Sequence, residues 1–371
     1  MTEKDLLEAT KQLIAIESTA ENPAGLQAAY EQIRQMIWDS GKAIAIEEFD
    51  SNGKPSLLAY REGDRPERFR IILNGHLDIV PGRPEQYLPK IKDGKLYGRG
   101  VYDMKAAAVI MTAIFCEFVD KLPYPLALQI TTDEEVGGKD GTGTQVRQGV
   151  IGDFVICGEC GRTSDVHEVA NEAKGIAVVN IGFRGNSAHG AYPWRGDNAA
   201  LKAARFAQAI HDRYPTPTDA TGETTVTITA IDAVGEAHTK IPDTATVRID
   251  GRFTHDDPDF HSIATFEKML ETIDPDCTIT EVISFFPPVY TAPDSPLLLE
   301  LKAAAEHIEG AEFSLVKRNG TSDARYYDGS EACEFGIAGE HQHADDEHIT
   351  LEAFRNYLMT MREFLQRTAT A

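Results

Sequence analysis

The chain has 371 residues, room for roughly two to three domains, and its 26% charged and 42% hydrophobic residues give the balance of a folded globular protein with a large core. Lys and Arg total 36 against 59 Asp and Glu, a formal net charge of −23 whose field repels phosphate backbones and anionic headgroups. Nucleic acid and membrane surfaces are therefore not expected partners. The longest mostly apolar run, residues 106–116, is far shorter than the ~20 residues a spanning helix needs. No basic-then-apolar leader follows Met1, and five irregularly spaced cysteines do not make a disulfide framework, so a cytoplasmic location is expected.

In chain order, Leu6, Leu7, Leu13 and Ile14, then Tyr30, Ile33, Met36 and Ile37, recur at helical spacing and predict two opening helices. Residues 70–73, 126–130 and 154–157 are short, nearly unbroken apolar runs, as in strands of a parallel sheet covered on both faces. Residues 106–119 predict a helix between the first two strands, and 139–150 one before the third. Between about 172 and 285 the rhythm changes. Strand 176–183, helix 198–210, strands 224–231 and 244–253, helix 260–273 and strand 278–284 give β-α-β-β-α-β, the order of a ferredoxin-like domain. Helices at 297–307 and 351–365 then return to the first domain. The expected organisation is α/β: a mostly parallel-sheet catalytic domain from 1–171 and 286–371, with an inserted ferredoxin-like α+β lid at 172–285.

Acidic residues and one histidine follow three of these strands. His76-Leu77-Asp78, Asp133-Glu134-Glu135 and Glu159 would meet beyond the carboxyl ends of the sheet, where ligands bind in open α/β folds. Convergent carboxylates need a cation. Side chains two apart on a strand face the same way, so Asp78 is placed to hold the second ring nitrogen of His76 and fix its tautomer. Glu134 and Glu135 point in different directions, so one can bind metal while the other takes a proton from water. Asp103, between the Gly98-Arg99-Gly100 turn and the next helix, is positioned to bridge two ions. His341, His343 and His348 offer a second imidazole. Such donors without thiolate suit Zn²⁺, or Co²⁺ or Mn²⁺.

Taken in order, these stretches resemble the dinuclear zinc amidohydrolases that include acetylornithine deacetylase, succinyl-diaminopimelate desuccinylase, aminoacylase and glutamate carboxypeptidase. The resemblance lies in 75–81 (GHLDIVP), 98–105 (GRGVYDMK), 132–138 (TDEEVGG), Gly158-Glu159 and 343–347 (HADDE). It implies a zinc exopeptidase-like fold with two divalent metal ions. Asp103 would be the bridging ligand, His76 and Glu159 would serve one ion, Glu135 and His343 the other, and Glu134 would be the general base. It assigns His343 as the ligand and leaves His341 and His348 supporting or surface roles.

The same resemblance implies that the lid carries a homodimer interface and that His189, in Ser187-Ala188-His189-Gly190-Ala191-Tyr192-Pro193, stabilises the oxyanion, commonly in the partner's site. Arg252 resembles the lid arginine that grips a substrate carboxylate, and Gly320-Thr321 the loop lining the substrate pocket. Tyr192 and Lys174 complete the expected substrate contacts. Three departures stand out: Thr239 where Asn is frequent, Lys174 where desuccinylases tend to carry Arg, and Cys160 where Pro usually follows Gly-Glu. The expected reaction is hydrolysis of the amide bond of an N-acyl-amino acid, with carboxypeptidase or dipeptidase action on short peptides bearing a free C-terminal carboxylate as the alternative. Among family members, Glu at position 159 favours deacylases and carboxypeptidases over amino-end peptidases. Two rivals come from other classes: a thiol centre at Cys157-Gly158-Glu159-Cys160, and a non-catalytic binder on the same fold.

Overall fold

The computed structural model describes residues 1–159, 161–163, 165–233 and 237–369. Local chemistry starts the two opening helices. Thr2 Oγ1 accepts the Asp5 N–H at 3.3 Å while the Asp5 carboxylate accepts the Thr2 N–H at 2.8 Å, a capping box over Glu3–Ile14. Asn22 caps Pro23–Asp39, whose first residue is a proline that needs no N–H partner. Leu6, Leu13, Ile14, Ile33 and Ile37 are buried in one core with the nearly all-apolar helix Ala106–Phe118.

That core lies against a sheet with four parallel strands at its centre: Leu126–Thr131, Phe69–His76, Gly152–Cys157 and Glu331–Glu334, in that order. Lys54–Arg61 and Ile44–Ser51 extend it antiparallel on one side, and Glu168–Ala173 pairs antiparallel with Glu331–Glu334 on the other. The expected helix over 139–150 is only Thr142–Arg147, because the Asp133 carboxylate takes the Asp140 and Gly141 N–H groups at 2.7 and 2.9 Å and holds that stretch as a loop. A small sheet of Gly339–Glu340, His348–Thr350, Lys95–Tyr97 and Lys90–Lys92 leads into the closing helix Leu351–Thr368, capped by Thr350.

The chain forms two compact units. The first comprises Met1–Asn171, Tyr290–Val316 and Ser322–Ala371; the second comprises Glu172–Val289 and Lys317–Thr321. In the second, Thr225–Asp232, Thr244–Phe253, Gly175–Arg184 and Thr278–Phe286 form an antiparallel sheet in that order. Gly175–Arg184 alternates buried and half-buried residues, the pattern of a strand with one covered face. Ala177, Val179, Ile181 and Phe183 meet Phe206 and Ile210 of helix Ala199–Arg213 and Phe266 and Leu270 of helix Ile263–Ile273 in a separate core. The short run Lys317–Thr321, which carries Gly320 and Thr321, belongs to this unit. No helix among the described residues is long and apolar enough to cross a membrane.

Candidate metal centre

Three adjacent parallel strands end at one edge. The ladder sets His76 opposite Thr131 and Asn74 opposite Cys157, so the segments leading to Asp78, Asp133–Glu135 and Glu159 leave the sheet side by side. His76 is buried. Its Nε2 lies 3.1 Å from Asp103 Oδ1 and 3.5 Å from Glu159 Oε1. The other Asp103 oxygen, Oδ2, lies 3.0 Å from His343 Nε2, which is 3.1 Å from Glu135 Oε1. Asp103 thus presents one oxygen to each of two donor groups, His76/Asp103/Glu159 and Asp103/Glu135/His343, and within each the donor atoms lie within 4.8 Å of one another. Gln342 Nε2 also donates to Asp103 Oδ2 at 2.7 Å.

Asp78 lies against the second ring nitrogen of His76 and also holds a neighbouring turn. His76 Nδ1 is 3.0 Å from the Asp78 carbonyl oxygen and 3.4 Å from its Oδ1. The carboxylate itself accepts the Glu134 and Glu135 N–H groups at 3.1 and 2.9 Å. Asp78 therefore ties the His76 loop to the backbone of the Glu134–Glu135 turn.

Burial drives the electrostatics. It pushes the Glu134 and Glu159 carboxyls well above the usual range, and Asp103 adds to the effect on both. Asp103 itself is held well below its usual value: burial opposes this, but hydrogen bonds to His343 and His76 prevail. Hydrogen bonds to Asp103 and Glu135 push His343 up to about 10. His76 is also raised, as Asp103 and Asp78 outweigh its burial. Buried carboxylates that repel one another around a shared Asp and two imidazoles fit divalent cations, and the N/O donor set without thiolate fits Zn²⁺, Co²⁺ or Mn²⁺.

Several supporting residues escaped the sequence reading. Arg99 and Glu347 form a buried ion pair at 2.7 Å. Arg99 Nη2 also donates to the His343 carbonyl at 3.0 Å, and Glu347 Oε1 accepts the Tyr102 and Asp103 N–H groups at 3.0 and 3.3 Å. One pair thereby anchors the loops of two ligands. Arg325 is buried with Nη1 3.8 Å from Glu134 Oε1, and buried Asp323 accepts hydrogen bonds from Thr142 and Thr131 beneath the same turn. Both follow Gly320-Thr321 closely in the chain, and their role depends on what packs around them. His341 pairs with Asp346 at 2.8 Å. His348 is buried against Tyr97 and Lys95.

The remaining expected residues lie in the second unit. His189 is exposed, and its Nδ1 accepts the Ala191 N–H at 3.1 Å; Tyr192 lies beside it with ring centroids 5.8 Å apart. Arg252 grips Asp250 through two bonds of 2.7 and 3.0 Å. Lys174 is buried and donates to the Thr221 and Glu223 carbonyls, and burial lowers its pKa. Lys174 and Arg252 line one cleft of 220 Å³ with Thr221, Thr225 and Asn319, the last adjoining Gly320 and Thr321 in sequence. Cys160 lies outside the described residues. Its proposed partner Cys157 is buried, and burial pushes its thiol well above the ordinary value, the reverse of an activated thiol.

A mostly parallel α/β sheet with these donors at its carboxyl edge defines a metallohydrolase. The chain belongs to peptidase family M20/M25/M40, whose pattern matches residues 72–367. Succinyl-diaminopimelate desuccinylase 2 of Ruegeria sp. (strain TM1040) is 29% identical over 338 residues, covering 84% of this chain and 83% of the relative. The succinyl-diaminopimelate desuccinylase of Dechloromonas aromatica (strain RCB) is 28% identical over 388 aligned positions, covering 98% and 99%. Among solved structures, aminopeptidase PepT from Bacillus cereus ATCC 10987 superposes with a TM-score of 0.76 at 21% identity, covering 100% of this chain and 99% of that one, a likeness of fold.

Proposed function

We propose that this chain hydrolyses the amide bond of an N-acyl-amino acid, with Glu134 as general base and acid. The observation carrying this is that Glu134 stands beside the donor cluster without belonging to either donor group, on a turn whose next residue, Glu135, does belong. His76, Asp103 and Glu159 would hold one divalent ion and Asp103, Glu135 and His343 the other, Zn²⁺ being the expected metal and Co²⁺ or Mn²⁺ alternatives. Bound there, such ions supply Lewis-acid polarisation of the scissile carbonyl and lower the pKa of water.

The chain's own residues do the rest. Glu134 takes the proton of the attacking water and returns it to the leaving amine nitrogen, a task suited to a carboxyl whose proton affinity burial has raised. The Arg325 guanidinium, 3.8 Å away, favours the ionised form of that carboxyl. Asp78 holds the Glu134 backbone and, through its carbonyl, the His76 tautomer. In this reading His189 donates to the developing oxyanion, Arg252 and Lys174 supply cationic lining for a substrate carboxylate, and Gly320, Thr321 and Tyr192 supply polar contacts. The second unit serves as a lid and homodimer interface, and the enzyme works in the cytoplasm.

The matched relatives are named desuccinylases, which favours acyl-amino acids over peptides; the aminopeptidase fold neighbour keeps carboxypeptidase or dipeptidase action as the second reading. Metal-loaded enzyme assayed for amine release against N-succinyl- and N-acetyl-amino acids and dipeptides decides between them. Glu134→Ala is expected to retain both ions while kcat falls at least ~10²-fold, the usual scale for losing a proton-transfer group. An ion missing from this variant would move Glu134 into the ligand set and overturn the assignment.

A further inference from the structure

Lys105 is an unusual residue to bury completely, because a charged ammonium without water needs strong partners and an apolar side chain of similar length would fill the space at lower cost. Its Nζ donates to the Leu13 and Ile16 carbonyls at 2.8 and 2.7 Å. These carbonyls belong to the C-terminal end of helix Glu3–Ile14 and the turn after it, where they also accept the Ile16 and Ser18 N–H groups and where backbone oxygens carry the negative end of the helix dipole. Lys105 is two residues past Asp103. The loop bearing the shared aspartate is thus moored to the chain's first helix.

Two residues beyond Ile16 the same stretch moors the other loop. Buried Ser18 donates through Oγ to the Leu77 carbonyl at 2.6 Å, and its own carbonyl accepts the Ile79 N–H at 3.0 Å. Those contacts bracket Asp78 and fix the exit from His76. Close packing removes slack between the three segments: a Cβ on Gly98 would lie 2.4 Å from Ile14 Cγ2, and one on Gly100 would lie 2.5 Å from Ile79 Cγ2 and 3.2 Å from Lys105 Cδ. The two moored loops meet where His76 Nε2 faces Asp103 Oδ1 at 3.1 Å.

We propose that residues 13–18 form a brace that sets the separation of the His76 and Asp103 loops, with Ser18 and Lys105 as positioning residues for the metal centre. The inference rests on the metal reading above. Removing partners that orient ligands costs about 10–100-fold in metal affinity. Ser18→Ala and Lys105→Met are therefore expected to weaken Co²⁺ binding by about that factor in equilibrium dialysis of the full chain. The visible absorption bands of the Co²⁺-loaded protein should also shift in position or intensity, which a general loss of stability would not produce.

Thr112→Ala is the control, since Thr112 is equally buried and donates one hydrogen bond to the Ala108 carbonyl within its own helix. It should lower the unfolding midpoint of the metal-free protein yet leave Co²⁺ affinity and spectrum as in the wild type. Wild-type affinity and spectrum in Ser18→Ala overturn the brace, as does an equal loss of Co²⁺ affinity in Thr112→Ala. Should Lys105→Met fail to fold, Ser18→Ala decides alone. Wild-type protein that takes up no Co²⁺ would overturn the metal reading itself, an outcome separate from a brace failure.

Discussion

Proton affinity links the side chains of the cluster, and the sign of each shift fixes how the metal-free protein responds to pH. His76, His343, Glu134 and Glu159 all bind their protons more tightly folded than unfolded, from ordinary values of 6.5 and 4.5 upward, His343 to about 10. A raised group contributes its full stabilisation below its unfolded value and loses it as pH climbs through the folded one. Asp103 runs the other way, but its contribution is present above 3.8 and constant across neutral and alkaline pH. The metal-free chain is therefore expected to lose stability between about pH 6.5 and 10. Ions held by His76, His343 and Glu159 require those donors deprotonated, so their stabilisation grows over that interval. Thermal midpoints measured with chelator and with metal should diverge as pH rises; midpoints that converge would contradict the electrostatic account.

Loops anchored by single buried contacts carry the chemistry at the scale of elements. Arg99 and Glu347, 3% and 1% exposed, join the turn before Asp103 to the loop of His343. Removing one partner of such a pair leaves an uncompensated buried charge, typically a cost of about 3–5 kcal/mol. Arg99→Leu should lower the urea midpoint accordingly and weaken metal retention, because the His343 carbonyl loses its donor too. A variant of wild-type stability would show that Glu347 is satisfied without Arg99. The sequence reading also passed over the Ile44–Ser51 and Lys54–Arg61 hairpin, although Asn52-Gly53 between them, at φ 52° and 73°, is a strong two-residue turn signal. Apolarity was the criterion there, and Ile44–Ser51 is a half-exposed edge strand with three acids, Glu47, Glu48 and Asp50.

For the whole molecule, the two units have separate cores, and the proposed homodimer through the second can be tested by complementation. If a partner supplies His189, mixing inactive His189→Ala with inactive Glu134→Ala creates dimers with one intact site. Random exchange makes about half the molecules mixed, so about a quarter of wild-type activity should return. Demonstrated exchange without recovery would mean that His189 acts within its own chain or has another role.

The sequence by itself determined what local chemistry can write. Periodicity and apolar runs marked the first helix, Ala106–Phe118, three of the four central parallel strands and the β-α-β-β-α-β order, but not Glu331–Glu334, because burying an apolar stripe leaves a readable pattern only where the run is long enough. Residue types also marked His76, Asp133–Glu135 and Glu159 at strand ends and Asp103 before a helix, while the choice of Glu135 and His343 as ligands came from the family resemblance. Tertiary structure alone decided which atoms meet. Asp78 turned its carboxylate to the Glu134–Glu135 backbone, Arg252 took Asp250, and Lys174 took two carbonyls. Arg99, Lys105, Ser18 and Arg325 gained their roles through neighbours as distant in sequence as 248 residues, for Arg99 with Glu347. Hydrogen bonds and ion pairs depend on distance and burial, and neither exists along the chain until it has folded.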